Sequence, residues 1–592
     1  MLKELEYPFD ASLILKKRRA LKRTLLADGS SRIRRKIAVL GGSTTDDVVS
    51  AAELFLLNFG IEAEFYQSEY AMFWEDGVFG NEELEAFKPD LIYVCTSTVN
   101  LQFRSDPALT KEQAEEIFAA QYSRFETLWQ KLERFHCPII QNNFEQPPYA
   151  LMGSMDSWDY RGLGYFVNRM NLKLAEYAQA HEGFYLLDLA RTAAEYGLNE
   201  WHDRSYWYMY KYMCARLAVP NIGYKLALIV KSIYGKNRKL LALDLDNTLW
   251  GGVVGDDGVE GIAIGQETGT AQAYYEFQQY VGDLKKLGVV LTVCSKNEEE
   301  NAIAGLEHPE GALRPADFAV IKANWEPKDR NLLETVQGIG LLPSAIVFAD
   351  DNPAEREKVR RGVPEAAVPE LDEVYRYIGE ISGAGYFEPV SISADDLKRS
   401  EMYRQNAQRA QLQAQTEDYG EYLASLQMHA EIAPFKPMYI QRITQLTNKS
   451  NQFNLTTRRY TQSEMEQIAQ SPECVTLYGK LADKFGDNGV VSVIVGEKQG
   501  SDLNIALWLM SCRVLKRDME LAMLDELVKN AANAGISRLI GKYIPSAKNK
   551  MVKDFYPETL GFSPVSADED GVTVWELKLD NYVNKNKYIE VN

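Results

Sequence analysis

Short apolar runs without a helical period recur along this chain, separated by stretches with helical character. The first spans residues 36–40; a turn at 41–45 and a helical stretch to Asn58 follow it. Residues 61–66, 91–95, 138–143 and 184–188 continue the alternation. Such runs, bounded by turn residues, read as strands buried on both faces, and strands alternating with helices predict a parallel sheet. After a polar, basic linker at 234–239 the pattern restarts with 240–243, 289–294 and 345–349. Residues 391–415 are polar, charged and helix-prone, as a connecting helix would be. Beyond about 425 the pattern is mixed, with strands expected at 489–495 and 506–510 and a helix at 518–534. The expected organisation is a helical lead-in (1–35), an α/β domain (36–235), a second α/β domain (236–385), a connecting helix (386–424) and an α+β domain (425–592). A chain of 592 residues is too long for one core.

Chemistry enters where the strands end. The run Leu240-Leu241-Ala242-Leu243 leads into Asp244-Leu245-Asp246, and the next ends at Ser295-Lys296-Asn297. Asn324-Trp325-Glu326-Pro327-Lys328 supplies a lysine, and the third run ends at Asp350-Asp351-Asn352-Pro353. Ligand sites of open α/β sheets lie at the carboxyl ends of the strands. Crowded carboxylates there need a cation, and hard oxygen ligands point to Mg2+.

An acid pair, a strand-end hydroxyl, a lysine and a second acid pair, in that order, resemble the haloacid dehalogenase superfamily of phosphoryl-transfer enzymes. The resemblance implies Asp244 as nucleophile, Asp246 as general acid and base, and Ser295 and Lys328 as holders of the phosphoryl oxygens. It also implies a metal set of Asp244, Asp350 and Asp351 with Asp246, the last through its backbone carbonyl. The longer stretches 246–258, 324–328 and 350–356, with 447–454 and 511–514 downstream, narrow the likeness to FkbH-like proteins. The best-known members of that subfamily load glyceryl units onto acyl carrier proteins. The implied substrate is related to 1,3-bisphosphoglycerate, and the implied partner is a separate acyl carrier protein with its phosphopantetheine arm. The competing reading is a phosphatase of another small phosphorylated metabolite or sugar, with flanking domains that select substrate.

Those flanks carry their own resemblances. Ser43, directly after the first strand, stands where an SGNH-type hydrolase has its nucleophile, with Asn100 as a candidate oxyanion donor and His202 as general base. Asn199 occupies the position of the orienting aspartate and cannot stabilise an imidazolium as a carboxylate does. Ser43 as a strand-end cap or binding hydroxyl is the alternative. The segment 555–562 before a last strand resembles the end of a GNAT-type acyltransferase. Its pyrophosphate loop would need glycines where Lys516 and Asp518 stand, which disfavours coenzyme A. Lys516 and Arg517 could instead attract a phosphopantetheine. Cys512, beside Arg513 and Arg517, is either an acyl-carrying thiolate or a small buried residue.

Charge and composition exclude some classes. A net charge of −19 argues against nonspecific nucleic-acid binding. The basic stretch 16–36 is either a solvated face or a dock for an acidic carrier. No apolar run is long enough to cross a bilayer, and residues 1–10 lack a signal-peptide block. The expectation is a cytoplasmic protein, with the six cysteines reduced. The aromatic segment 206–210 is expected to be helix core.

Overall fold

A computed structural model describes residues 2–592 except 393–396, 417, 450–452, 512–513, 547–548 and 569–570. The chain divides into two units, Met1–Lys236 and Asn237–Asn592.

The first unit is built on β1 (Ile33–Gly41), β2 (Ile61–Gln67), β3 (Leu91–Cys95), β4 (Ile139–Asn142) and β5 (Phe184–Leu187). All pair in parallel, in the order β2-β1-β3-β4-β5. Apolar residues on both faces of β3 and β4 require cover on both sides. Helices α1 (Ala11–Ala27), α2 (Asp46–Asn58), α3 (Lys111–Leu132), α4 (Leu163–Ala180), α5 (Arg204–Tyr210) and α6 (Val219–Ile233) surround the sheet. The expected lead-in is not a separate element. Asp10 caps α1 through Leu13 N, Phe9 packs on Tyr224 of α6 at 5.1 Å, and Arg18 and Lys22 pair with Asp47 and Glu53 of α2. Part of the basic stretch is thereby neutralised inside the unit.

The expectation for 206–210 is also corrected. In α5 no residue is buried, and Tyr208, Met209 and Tyr210 are 59%, 68% and 51% exposed. Successive residues point around a helix, so an unbroken run of large side chains has no single face to bury.

The second unit holds two sheets. The smaller is parallel, in the order β8-β7-β6-β9, from β6 (Leu240–Leu243), β7 (Val290–Ser295), β8 (Val320–Ala323) and β9 (Ile346–Ala349). It is flanked by α7 (Gly269–Lys286), α8 (Glu299–Leu306), α9 (Lys328–Ile339) and α10 (Pro353–Gly362). The larger is mostly antiparallel: β10 (Met428–Ala433), β11 (Phe453–Asn454), β12 (Cys474–Asp483), β13 (Gly486–Gln499), β14 (Asp502–Met510), β15 (Arg538–Tyr543), β16 (Ser563–Ala567), β17 (Thr573–Lys578) and β18 (Ile589–Val591). Its order is β16-β17-β15-β14-β13-β12-β10-β18, with β11 on β14.

Between the sheets runs α11 (Arg399–Gln415), and α12 (Met519–Asn533) follows β14. Helix α11 is more than a connector. Its Tyr403 packs into the core with Leu332 and Val336 of α9, while its buried Arg409 pairs with Asp483 at 2.6 Å. No helix among the described residues is long and apolar enough to cross a membrane.

Candidate active site

Strand β6 sits in the middle of the parallel sheet, with Leu243 opposite Val293 and Ala349. Its four residues are fully buried. The first residue beyond it, Asp244, therefore emerges beside the ends of β7 and β9, held by a bond from its N–H to the Ala349 carbonyl at 2.9 Å. Ser295 ends β7 and is buried, Asp350 follows β9, and Lys328 opens α9.

These groups converge. Lys328 Nζ lies 2.8 Å from Asp244 Oδ2 and 2.6 Å from Asp350 Oδ2, all three side chains being buried. Burial opposes the lysine's charge, but the two carboxylates outweigh it and its pKa is raised. Burial, then the Asp244 charge, push Asp350 up to about 6. Oxygens of Asp244, Asp350 and Asp351 lie within 4.8 Å of one another, a set of hard donors suited to Mg2+.

The Asp246 side chain is not in that group. Its Oδ1 accepts from Trp250 Nε1 at 2.9 Å and Val254 N at 3.0 Å, and its Oδ2 accepts from Asn297 Nδ2 at 3.0 Å. Burial, the largest influence, raises its pKa.

Two supports escaped the sequence reading. Thr248 Oγ1 accepts from Asp351 N at 3.2 Å and is buried. Arg356, also buried, donates to the carbonyls of Asp350, Asp351 and Leu371 at 3.0, 2.7 and 2.9 Å. It thus fixes the backbone that carries the second acid pair. The signal was the arginine closing the Asp350–Arg356 motif, whose role only the folded loop reveals.

The first unit brings fewer partners together. Ser43 follows β1, and its hydroxyl is buried without a hydrogen-bond partner. Asn100 Nδ2 donates to the Gly42 carbonyl at 2.8 Å, so one of its hydrogens is already committed. His202 Nε2 faces the Gln146 carbonyl at 2.9 Å, and burial lowers the imidazole's pKa. A nitrogen facing a carbonyl carries its hydrogen there and is not the free base that a serine needs. Glu145 is fully buried behind β4, its carboxyl pushed by burial up to about 7.

At the larger sheet, Cys512 lies outside the described residues. Arg517 is not presented to a ligand: it is buried, 3.2 Å from Asp483 and 2.7 Å from Asn406 Oδ1. The carboxylate that claims it stands 34 positions away in sequence, which local charge does not reveal. Lys516 is exposed. Both Lys516 and Asp518 take positive φ, 61° and 58°, the region where glycine is at ease. Strands β14 and β15 pair in parallel only as far as Ile505 and Gly541. Beyond that point the chain itself lies between them: Leu455 N donates to the Trp508 carbonyl at 3.1 Å and Ile544 N to the Leu455 carbonyl at 2.8 Å.

The family model described as FkbH, N-terminal domain, matches residues 36–231. The solved N-terminal part of the protein BF1531 from Bacteroides fragilis, containing a phosphatase domain and complexed with Mg, is 31% identical, with a TM-score of 0.59. That match covers 63% of this chain and 99% of the relative. The ribosomal-protein-S18-alanine N-acetyltransferase from Escherichia coli is 11% identical, covering 27% of this chain and 99% of that one, with a TM-score of 0.21. The GNAT domain of S. lividans PAT is 15% identical, covering 25% and 89%, with a TM-score of 0.21. No curated protein matches. On the Bacteroides relative and the FkbH match, supported by the acid set at the end of β6, the chain belongs to the FkbH-like family and carries its haloacid dehalogenase-type domain.

Proposed function

We propose that this protein is a Mg2+-dependent phosphotransfer enzyme that dephosphorylates a phosphoglycerate-derived acyl unit and loads the glyceryl group onto a separate acyl carrier protein. The observation that carries the phosphotransfer half is Lys328 held between Asp244 and Asp350 at the sheet's carboxyl edge. A buried lysine shared by two carboxylates, beside a third, leaves the cluster net negative, so it suits a phosphoryl dianion together with a bound cation. Asp244, Asp350 and Asp351 would hold the metal, which when bound neutralises charge on the phosphoryl oxygens. Asp244 Oδ attacks phosphorus, the bond from phosphorus to the leaving oxygen breaks, and that oxygen takes a proton from Asp246. Water then attacks phosphorus and gives a proton to Asp246, the bond from phosphorus to Asp244 Oδ breaks, and inorganic phosphate and the free Asp244 carboxylate result. Lys328 and Ser295 keep the transferring group aligned.

The loading half rests on family membership and on Cys512. Attack of the Cys512 thiolate on the acyl carbon would form a thioester as the carbon–oxygen bond to phosphate breaks and inorganic phosphate leaves, and exchange with the carrier's phosphopantetheine thiol would return Cys512 free. Incubation with candidate phosphoglycerates, 1,3-bisphosphoglycerate among them, and with a carrier protein tests the whole reading by intact mass. A glyceryl adduct on the carrier, with phosphate released, is the expected result. Phosphate release without any carrier adduct would leave a phosphatase of another small metabolite.

A further inference from the structure

We infer that Trp250 and Asn297 are positioning residues for Asp246, and that Gly305 is the seat that keeps Trp250 in place. The inference rests on the phosphotransfer reading, because it concerns how Asp246 hands its proton to the leaving oxygen.

The geometry is local and complete. A carboxylate at the tip of a strand-following loop has a side chain free to rotate. Here it is gripped on both oxygens. Trp250 lies four residues on, and its indole is fully buried, with Nε1 on Asp246 Oδ1 at 2.9 Å. Val254 N supports the same oxygen at 3.0 Å. Asn297, just beyond β7 and buried, donates Nδ2 to Oδ2 at 3.0 Å. Oδ1 thus receives two donors and Oδ2 one, so Oδ2 is the oxygen with capacity left to pass a proton on.

An indole N–H is a donor only, and burying one without an acceptor is costly, so its bond to Asp246 holds the ring and the carboxylate together. The ring is in turn seated by a glycine. A Cβ at Gly305, on α8, would stand 2.7 Å from Trp250 Cη2 and 2.8 Å from Cζ2. No rigid indole gives way by that much without moving its Nε1. A glycine in the last turn of a short helix, otherwise a weakness, is explained by this contact.

In the proton step, the bond from phosphorus to the leaving oxygen breaks as the Asp244–phosphorus bond forms, and the Asp246 Oδ2 proton moves to the leaving oxygen. Misplacing Oδ2 should hurt most when the leaving oxygen is basic and needs that proton. It should matter little for a leaving group stable as an anion.

The test compares Trp250→Phe, Asn297→Ala and the remote Gly305→Ala with wild type on an alkyl phosphate and on p-nitrophenyl phosphate. Expected are a fall in kcat of about tenfold to a hundredfold on the alkyl ester and less than about fivefold on the nitrophenyl ester, with KM within about threefold. An equal loss on both esters would mean general structural damage and overturn the inference, as would no loss. A second measurement needs no turnover. The Trp250 indole N–H signal, assigned in a 15N-tryptophan spectrum by its absence in Trp250→Phe, should shift in Asp246→Ala and in Gly305→Ala. An unmoved signal overturns the inference whatever the protein hydrolyses. Wild type inert toward every phosphoester would instead sink the phosphotransfer reading, while the indole signal still decides this one.

Discussion

Lys328 and Asp350 form the most buried ion pair of the active site, 2.6 Å apart, and Lys328 reaches Asp244 with the same nitrogen. The lysine therefore stands in for part of the positive charge this acid cluster needs. Lys328→Met should lower phosphate release by at least about a hundredfold, because an aligned donor to the transferring group is lost. It should also make the fold lean on the metal. Mg2+ should raise the melting temperature of Lys328→Met by more than it raises that of wild type, since buried carboxylates left without a partner are strongly destabilising. Equal Mg2+ shifts in the two proteins would contradict this picture of the site.

Asp244→Asn keeps the size of the side chain and removes the nucleophile. It should abolish phosphate release while leaving the melting temperature within a few degrees of wild type. Asp350→Asn should behave differently, weakening the dependence of stability on Mg2+ as well as activity. Turnover of any phosphoester by Asp244→Asn at the wild-type rate would remove the central assignment.

The parallel sheet around β6 was legible because its strands are uninterrupted apolar runs, and a strand that ends in acids announces a site. The third domain's strands at 489–495 and 506–510 were legible in kind but too short: β13 spans Gly486–Gln499 and β14 Asp502–Met510, because polar residues at their ends join the ladder. What local pattern could not show were partners far apart in sequence. Arg517 reads as a ligand cation until Asp483 is seen beside it, and nothing in the sequence pairs Gly305 with the Trp250 ring that lies against it. The lead-in reads as an appendage because nothing in residues 1–35 reveals that Phe9 and Arg18 meet α6 and α2.

Ser43→Ala should change phosphate release by less than about twofold, and a fluorophosphonate should not label Ser43. The reason is His202, whose Nε2 is occupied by the Gln146 carbonyl. Serine-dependent labelling with a burst of activated-ester cleavage would show that the ring turns to serve Ser43.

Cys512→Ser should keep phosphate release and lose carrier loading, since a serine ester does not stay activated as a thioester does. Intact mass with and without hydroxylamine reads out the labile adduct. Undiminished loading by Cys512→Ser would assign the transfer elsewhere.

Glu145 makes the first unit's stability fall with rising pH. Its carboxyl titrates near 4.5 when exposed and at about 7 when buried in the fold, with Thr98 N as a distant donor at 3.3 Å. A raised folded pKa means the folded state holds a proton that the unfolded chain has already lost. The associated stability is complete below about pH 4.5 and is lost as pH rises through about 7. The total is on the order of 3 kcal/mol. Glu145→Gln keeps the shape and an acceptor for Thr98 without the charge. Its melting temperature should match wild type near pH 4.5 and exceed it at pH 8. Parallel pH profiles for the two proteins would show that Glu145 is paired or hydrated in solution.

The junction between the two sheets of the second unit depends on one carboxylate. Asp483 accepts from Arg409 of α11 at 2.6 and 2.8 Å and pairs with Arg517, before α12, at 3.2 Å, with Asn406 bridging the two guanidinium groups. All four side chains are buried, and Tyr403 of the same helix is packed in the core beneath β6. Asp483→Ala would leave the buried Arg409 guanidinium without the carboxylate it pairs with, at a cost of about 3–5 kcal/mol. Arg409→Met, with Asp483 still paired to Arg517, should cost less. Chemical denaturation of the two variants checks the order, and limited proteolysis should cut within 393–417 in Asp483→Ala before it cuts wild type. If Asp483→Ala unfolds at the wild-type denaturant midpoint, α11 is held by its apolar face alone.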